Sequence, residues 1–168
     1  MSNRIRCFAA AAAMLAGATV LHPSHAGVME GVRDFQTGRY AEALKQLEPE
    51  AAKGNTDALF ILGEMHSAGK GVERDQAKAA ELYGRAAELG HAKAMQNYGE
   101  ALTLGEGVKQ DIQEALKWFI LSARAGNNDA AAYASRVGKF TTREMQAEAR
   151  MKALDWEKAF KAKKDGAK

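Results

Sequence analysis

The chain has 168 residues, a formal net charge of +3 and a single cysteine, Cys7. One cysteine excludes an internal disulfide framework, and so small a charge excludes a strongly basic nucleic-acid-binding surface. Alanine dominates the apolar residues, and the alternating Val, Ile and Thr pattern of strands is absent, so the sequence predicts an all-α fold.

Residues 1–26 have the pattern of a secretory signal peptide. Arg4 and Arg6 give a positive start, an apolar run follows over 7–21, and small residues lead up to Ala26. The apolar run is shorter than the roughly 20 residues that span a bilayer. We expect cleavage after Ala26, export to the periplasm or the medium, and no stable membrane insertion.

The mature chain 27–168 would contain no cysteine and carry a net charge of +1. Disulfides, thiolate metal ligands and a cysteine nucleophile are then excluded. Its length suits one domain. The chain ends in a lysine-rich stretch, which we expect to be the solvated end of a helix: Lys158, Lys161, Lys163, Lys164 and Lys168.

The middle of the chain contains an internal repeat of 36 residues. A shift of 36 positions aligns ten identical residues, four of them glycine. The first copy contributes Gly54, Ala58, Gly63, Glu64, Gly69, Gly71, Val72, Asp75, Ala79 and Ala87. The second copy contributes Gly90, Ala94, Gly99, Glu100, Gly105, Gly107, Val108, Asp111, Ala115 and Ala123.

Each copy is expected to form two helices. In the first copy, apolar residues at helical spacing predict a helix over 56–68, which Gly69 would end in a left-handed conformation. Asp75 is expected to cap a second helix over 76–89. A small residue at Gly63 would let the two helices approach closely.

The end of the chain predicts a short helix over 128–138 and a long helix over 142–163. Thr141 and Glu144 have capping-box spacing at the start of the long helix. One face of that helix carries Met145, Ala149, Ala153, Trp156 and Phe160, and its other side is charged. Such a helix is suited to cover the end of a repeat array.

The repeat follows a specific pattern of small and aromatic residues. It reads Gly90-x-x-x-Ala94-x-x-x-Tyr98-Gly99, then Gly105-x-Gly107-Val108-x-x-Asp111, then Ala115-x-x-Trp118-Phe119-x-x-x-Ala123-x-x-Gly126. This pattern resembles the Sel1-like repeat, a relative of the tetratricopeptide repeat with a longer loop inside each helical pair. The resemblance implies a right-handed superhelical α-α solenoid of eight helices with a C-terminal capping helix.

The resemblance also divides the mature chain. Residues 54–89 and 90–125 are repeats 1 and 2, and 126–168 are a partial repeat with the capping helix. Residues 27–53 are expected to be a degenerate helix pair, because the stretch Gly38–Leu44 resembles the start of the second helix of a tetratricopeptide repeat.

The loop Ser67–Asp75 contains two features of known active sites. Ser67 and Lys70 have the Ser-x-x-Lys spacing of some acyl-transfer enzymes, and glycines flank Lys70 as in a phosphate-binding loop. Repeat 2 keeps the glycines but has Thr103 and Glu106 in place of Ser67 and Lys70. A phosphate loop also requires a preceding strand and a Lys-Ser/Thr pair. We therefore expect a turn, no catalytic residue and no enzyme.

The alternative is an enzyme that processes cell-wall peptides or β-lactams through Ser67 and Lys70. It rests on the resemblance, because some exported, cysteine-rich Sel1-like proteins are associated with penicillin binding. The cysteines of that branch are missing from this chain.

Only two histidines remain after residue 26, namely His66 and His91. They are predicted to lie on different helices and have no patterned acidic partner. We expect neither a metal site nor a cofactor.

The remaining candidate site is a surface. Repeat arrays of this kind bind peptides or partner helices in a groove lined mainly by the first helix of each pair. The candidate groove residues are Phe60, Ile61, Glu64, Gln96, Asn97 and Glu100. The apolar pair Phe60 and Ile61 either docks a partner or packs against the N-terminal helix at Val28, Val32 and Phe35.

The sequence therefore predicts an exported, monomeric scaffold that binds another protein or a peptide. The resemblance implies an adaptor role in the bacterial cell envelope. Neither nucleic acid nor membrane is an expected partner.

Overall fold

The structure is a computed structural model that describes residues 23–166, with side chains from residue 27 onward. Within this range the chain forms eight α-helices and no strand, which confirms the all-α prediction. They are α1 (Pro23–Gln36), α2 (Tyr40–Ala52), α3 (Thr56–Ala68), α4 (Gln76–Glu88), α5 (Ala92–Leu104), α6 (Ile112–Arg124), α7 (Asn128–Gly138) and α8 (Arg143–Gly166). Most of the predicted signal peptide lies outside the described residues, and α1 begins before the expected cleavage point.

The helices pack in pairs that follow the chain. α1 packs on α2, α3 on α4 and α5 on α6, and successive pairs meet through α2 and α3, then α4 and α5, then α6 and α7. This order is that of an α-solenoid, in which each unit contacts its neighbours along one direction. The two repeats predicted from the 36-residue shift are the pairs α3–α4 and α5–α6.

The core consists of two adjoining clusters of buried side chains. The first is formed mainly by α1 to α4 and contains Leu47, Leu59 and Met65. The second is formed mainly by α5 to α8 and contains Trp118 and Phe119. Tyr98 packs against both clusters and so joins them. The two largest fully buried side chains, Trp118 and Phe119, belong to the second cluster, and Leu82 and Tyr83 stand at the equivalent positions of repeat 1.

Glycines in the first helix of each repeat make room for an aromatic ring of the second helix. A Cβ atom on Gly63 would lie 2.6 Å from the ring of Tyr83, and one on Gly99 would lie 2.9 Å from the ring of Phe119. Both distances are too short for real carbon contacts, so the two helices can lie this close only because the side chain is absent. The predicted role of Gly63 is confirmed.

The helix ends in the structure lie at or close to the positions predicted from the sequence. Asp75 accepts a hydrogen bond of 2.9 Å from the Lys78 amide, and Gly69 ends α3 with φ +67°. α4 ends at Glu88, one residue earlier than expected. At the last helix the cap is Thr142 rather than Thr141, because the Thr142 hydroxyl accepts a hydrogen bond of 3.2 Å from the Met145 amide.

The loop inside each repeat has the same geometry in both copies. The Asp75 amide donates to the His66 carbonyl at 2.9 Å, and the equivalent Asp111 amide donates to the Leu102 carbonyl at 3.0 Å. Each bond closes the loop back onto the last turn of the first helix, where carbonyls lack helical partners. Recurrence of the bond shows that the loop is a structural part of the repeat.

The second glycine of each loop also touches the preceding helix pair. A Cβ on Gly71 would overlap Tyr40 at the start of α2, and a Cβ on Gly107 would overlap the backbone of Gln76 at the start of α4. Tyr40 and Gln76 are themselves 36 residues apart. The same contact is therefore made at both junctions between units.

The last helix departs from the regular order, because α8 packs on α6. Ala149 and Ala153 are buried, and Trp156 meets Trp118 at a ring-centroid distance of 5.8 Å. Farther along, the ring of Phe160 lies against Gly90, at the turn between α4 and α5. The predicted apolar face of α8 thus covers α6 and reaches back to the turn between α4 and α5.

Between residues 23 and 166, no helix combines the length and the apolar character needed to cross a membrane.

We predict that Gly107→Ala destabilises the protein far more than Gly38→Ala. Both glycines have a positive φ, of +70° and +79°, so both variants should lose about 1–2 kcal/mol from backbone strain. Only at Gly107 does the new Cβ meet another backbone, since nothing lies within 4 Å of the corresponding position at Gly38. Urea unfolding followed by helical circular dichroism should show an additional loss of about 2 kcal/mol or more. Equal losses in the two variants would contradict the junction contact.

Candidate protein-binding groove

Two of the six candidate residues, Phe60 and Ile61, lie in the core. Each is only 9% exposed, and both belong to the first cluster with Val28, against which Val32 and Phe35 also pack. The Phe60 ring stacks on His91 with a centroid distance of 4.6 Å. These contacts agree with the alternative that Phe60 and Ile61 pack against the N-terminal helix. Little of either side chain remains exposed for contact with a partner.

The side chains of Glu64, Asn97 and Glu100 gather around the hydroxyl end of Tyr83. Burial raises the pKa of Tyr83, the charges of Glu64 and Glu100 raise it further, and hydrogen bonding with Asn97 and Ser67 lowers it. Burial likewise raises the pKa of Glu64, against the opposing effect of Lys70 and Lys93. α3, α4 and α5 thus bring polar groups together in a half-buried setting.

Gln96 joins this cluster to the next unit through a chain of hydrogen bonds. Its amide donates to the Glu100 carboxylate at 2.7 Å, and its carbonyl accepts from the Asn127 amide at 2.8 Å. Asn127 also donates to the Ser122 hydroxyl at 3.1 Å, and Ser122 donates to the Ala92 carbonyl at 2.7 Å. These bonds hold Gln96 and Glu100 in place before any partner arrives.

Tyr133 extends the surface onto α7. The negative charge of Glu100 is the main cause that raises the pKa of Tyr133, and burial adds to it. The guanidinium of Arg136 lies over the Tyr133 ring, 5.2 Å from its centroid. We call the surface formed by Glu64, Asn97, Glu100, Tyr83 and Tyr133 the first-helix face, since α3, α5 and α7 carry most of it.

Three side chains of this region were not among the candidates from the sequence. The ring of Tyr83 lies in the core, and its hydroxyl reaches the polar cluster. The other two are Tyr133 and Leu104. The repeats differ at two of these positions, and such a difference indicates a role outside the common core. Repeat 2 has Phe119 in place of Tyr83, and repeat 1 has Ala68 in place of Leu104.

Ser67 and Lys70 do not form a catalytic pair in the structure. Gly69 ends the helix between them, and the Lys70 ammonium lies 5.0 Å from the ring centroid of Phe35. Ser67 instead lines a pocket with Tyr83 and Asn97. A serine nucleophile requires a base within hydrogen-bonding distance, and no hydrogen bond joins these two described residues.

His91 has a structural role at the start of α5. Its Nδ1 accepts a hydrogen bond of 3.0 Å from the Ala94 amide, and its Nε2 lies 3.4 Å from Asp57. Asn55 occupies the equivalent position of the preceding repeat and caps α3 in the same way. His66 lies elsewhere on α3, and the described residues contain no group of three His, Cys, Asp or Glu side chains arranged to hold a metal ion.

The fold and the recurring loop define a class of protein, an α-solenoid built from 36-residue helix pairs. Comparison with known families makes the assignment specific. The sequence model of the Sel1 repeat matches residues 56–91 and 92–127. Residues 56–127 therefore consist of two Sel1 repeats, as the pattern of small and aromatic residues predicted.

Solved structures agree with this assignment. A protective antigen of uropathogenic Escherichia coli strains with an SLR fold is 26% identical over 83% of this chain, with a TM-score of 0.77. The match covers 31% of the antigen, so the present chain spans less than a third of its length. A Sel1 repeat protein from Oxalobacter formigenes is 28% identical over 68% of this chain and 89% of its own, with a TM-score of 0.63.

A more distant structure shares the fold alone. Cysteine-rich protein B of Helicobacter pylori is 21% identical over 70% of this chain and 98% of its own, with a TM-score of 0.54. No curated protein matches the chain in sequence.

We predict that acid destabilises the protein partly through His91. Burial is the main cause that lowers the pKa of His91 below the ordinary 6.5, and Lys93 acts in the same direction against Asp57. Protonation would also remove the lone pair that caps α5, a loss of about 1 kcal/mol. The stabilisation is present above pH 6.5 and is lost as the pH falls through the lowered pKa of the folded state.

The variant His91→Asn tests this prediction, because asparagine is the residue that caps the equivalent helix α3. The free energy of unfolding should be measured between pH 7.5 and 5.0. The variant loses the stacking on Phe60 and should be less stable at pH 7.5, but it should lose less stability than the parent on acidification. Parallel pH curves for the two proteins would show that His91 contributes nothing to the acid sensitivity.

Proposed function

We propose that this protein is a non-catalytic scaffold that binds another protein or a peptide on the first-helix face. The observation that carries the proposal is the polar cluster around Tyr83. Glu64, Asn97 and Glu100 are half-buried without being needed to fill the core, and repeat arrays commonly use such faces to hold peptides or helices.

The cluster is suited to recognition because it is held in place beforehand. Gln96 and Asn127 fix the Glu100 carboxylate, so a partner would not have to order that side chain on binding. Less ordering on binding leaves more of the interaction energy for affinity. The face also runs across three helices, which suits an extended partner better than a small molecule.

The non-catalytic part of the proposal is supported by the separation of Ser67 from Lys70. Acyl transfer through these residues would require Lys70 to leave Phe35 and turn back past Gly69. The reactive pair is also specific to repeat 1, whereas the loop geometry is common to both repeats.

Export to the bacterial cell envelope belongs to the same proposal. It is supported by the sequence of residues 1–26, which has the charged start, apolar run and small-residue end of a signal peptide. A mature chain without cysteine would fold outside the cytoplasm without any disulfide to form.

We predict that a photo-crosslinking amino acid at Asn97 captures a partner in living cells. Asn97 lies in the polar cluster, so a bound chain would contact it. A crosslinker at Glu81, an exposed residue of α4, is the matched control on another surface. Capture at Asn97 alone, with the adduct identified by mass spectrometry, is the expected result. Adducts at Glu81 but not at Asn97 would show that the partner binds a surface other than the first-helix face.

We also predict that the protein isolated from its native cell begins at Gly27. Signal peptidase should cut after Ala26, where the small-residue motif ends. Cell fractionation followed by N-terminal sequencing checks both the compartment and the cut. A cytoplasmic protein that retains Arg4 and Arg6 would refute export and leave the binding proposal intact.

A further inference from the structure

The first-helix face contains two depressions, one on each side of α5. The depression between α5 and the pair α3–α4 has a volume of about 140 Å³ and is lined by Tyr83, Asn97 and Glu106, among others. The depression between α5 and α7 has a volume of about 260 Å³ and is lined by the more apolar set of Phe119, Tyr133 and Val137. We call them the polar pocket and the apolar pocket.

The two pockets are adjacent, because Glu100 and Leu104 of α5 line both of them. Leu104 is 65% exposed and lies at the boundary between the two pockets. Its equivalent in repeat 1 is Ala68, so the repeat does not need leucine here for packing. Leu104 therefore stands as an apolar ridge between two open pockets.

The charges of the two pockets differ. Glu100 and Glu106 line the polar pocket, and Glu64 lies close by across Tyr83. In the described part of the chain, none of the ion pairs involves these three carboxylates. The lining of the polar pocket contains no Lys, Arg or His, whereas Arg136 lines the apolar pocket together with Glu100. Positive charge on a partner is thus favoured at the polar pocket only.

The width of α5 sets the spacing of a partner that uses both pockets. A helix with its side chains is about 10 Å across. A peptide in the extended polyproline II conformation advances about 3.1 Å per residue with three residues per turn, so every third side chain points to the same side. Two side chains that enter pockets on opposite sides of α5 are therefore about three residues apart.

From these observations we infer that the first-helix face recognises an extended peptide segment with a Lys or Arg about three residues from a large apolar side chain. The basic group pairs with Glu100 in the polar pocket, and the apolar side chain passes Leu104 into the apolar pocket. This inference rests on the proposed function and narrows it to one class of partner.

Fluorescence polarisation with the purified protein and labelled nine-residue peptides tests this recognition rule. The reference peptides carry Lys and Leu separated by two residues, in both orders, in a Gly/Ser background with blocked ends. Matched peptides replace Lys by Glu, replace Leu by Ser, or place Lys and Leu side by side. The better reference peptide should bind at least about tenfold more tightly than each matched peptide.

Two variants connect the preference to the pockets. Glu100→Gln removes the negative charge but keeps the size of the side chain, and it should abolish the preference for Lys over Glu. Leu104→Ala introduces the residue found at this position in repeat 1, and it should abolish the preference for Leu over Ser. The controls are Glu42→Gln on α2 and Leu89→Ala at the end of α4, both at exposed positions. Each control should bind the reference peptide like the parent.

Equal binding of the Lys and Glu peptides by the parent, or unchanged preferences in both variants, would overturn the inference. If no peptide binds while the crosslinker at Asn97 still captures a partner, the recognition rule is wrong and the proposed function stands. If the crosslinker also captures nothing, both are wrong.

Discussion

The architecture depends on a close contact between a loop glycine of one unit and the start of a helix in the unit before it. In each repeat the second glycine of the loop lies against the start of the second helix of the unit before it, so that Gly71 meets Tyr40 and Gly107 meets Gln76. A side chain at either glycine would force the units apart. The contact fixes how one helix pair is placed on the next, and the hydrogen bond from Asp75 or Asp111 holds the loop that makes it.

With the backbone fixed in this way, the exposed positions of the first helices are free to differ between units. The positions equivalent to Ile61 carry Asn97 and Tyr133, and those equivalent to Glu64 carry Glu100 and Arg136. One position thus serves the core in repeat 1 and the surface in repeat 2. The loops that resemble active sites are the constant part of the molecule, and the binding site that we propose consists of side chains on regular helices.

Much of the fold could be predicted from the sequence, because a residue that occurs at the same position in both repeats marks a structural requirement. The bounds of α3 and the helix ends at Gly69 and Asp75 follow from local rules of helix termination that act within one turn. The packing partner of α8 could not be predicted. Its apolar face was evident, but an amphipathic helix does not specify which neighbour that face will cover.

The candidate site was predicted less well, for a related reason. Glu64, Asn97 and Glu100 could be found, since polar residues on first helices stand out against the core. The burial of Phe60 depends on α1 and on the ring of His91, neither of which belongs to the repeat pattern. The role of the Tyr83 hydroxyl cannot be predicted from the repeat pattern, because the ring of this residue belongs to the core and its oxygen lies at the surface.

The path of α8 limits how such a protein can grow in evolution. Trp156 stacks with Phe160 on the outside of α6, and Phe160 closes over Gly90, so the end of the array is attached to its middle. A gene duplication that added a helix pair after α7 would move α8 away from these partners. New units can be inserted without this loss only ahead of the segment that α8 spans, and lengthening at the amino-terminal side is therefore the easier route.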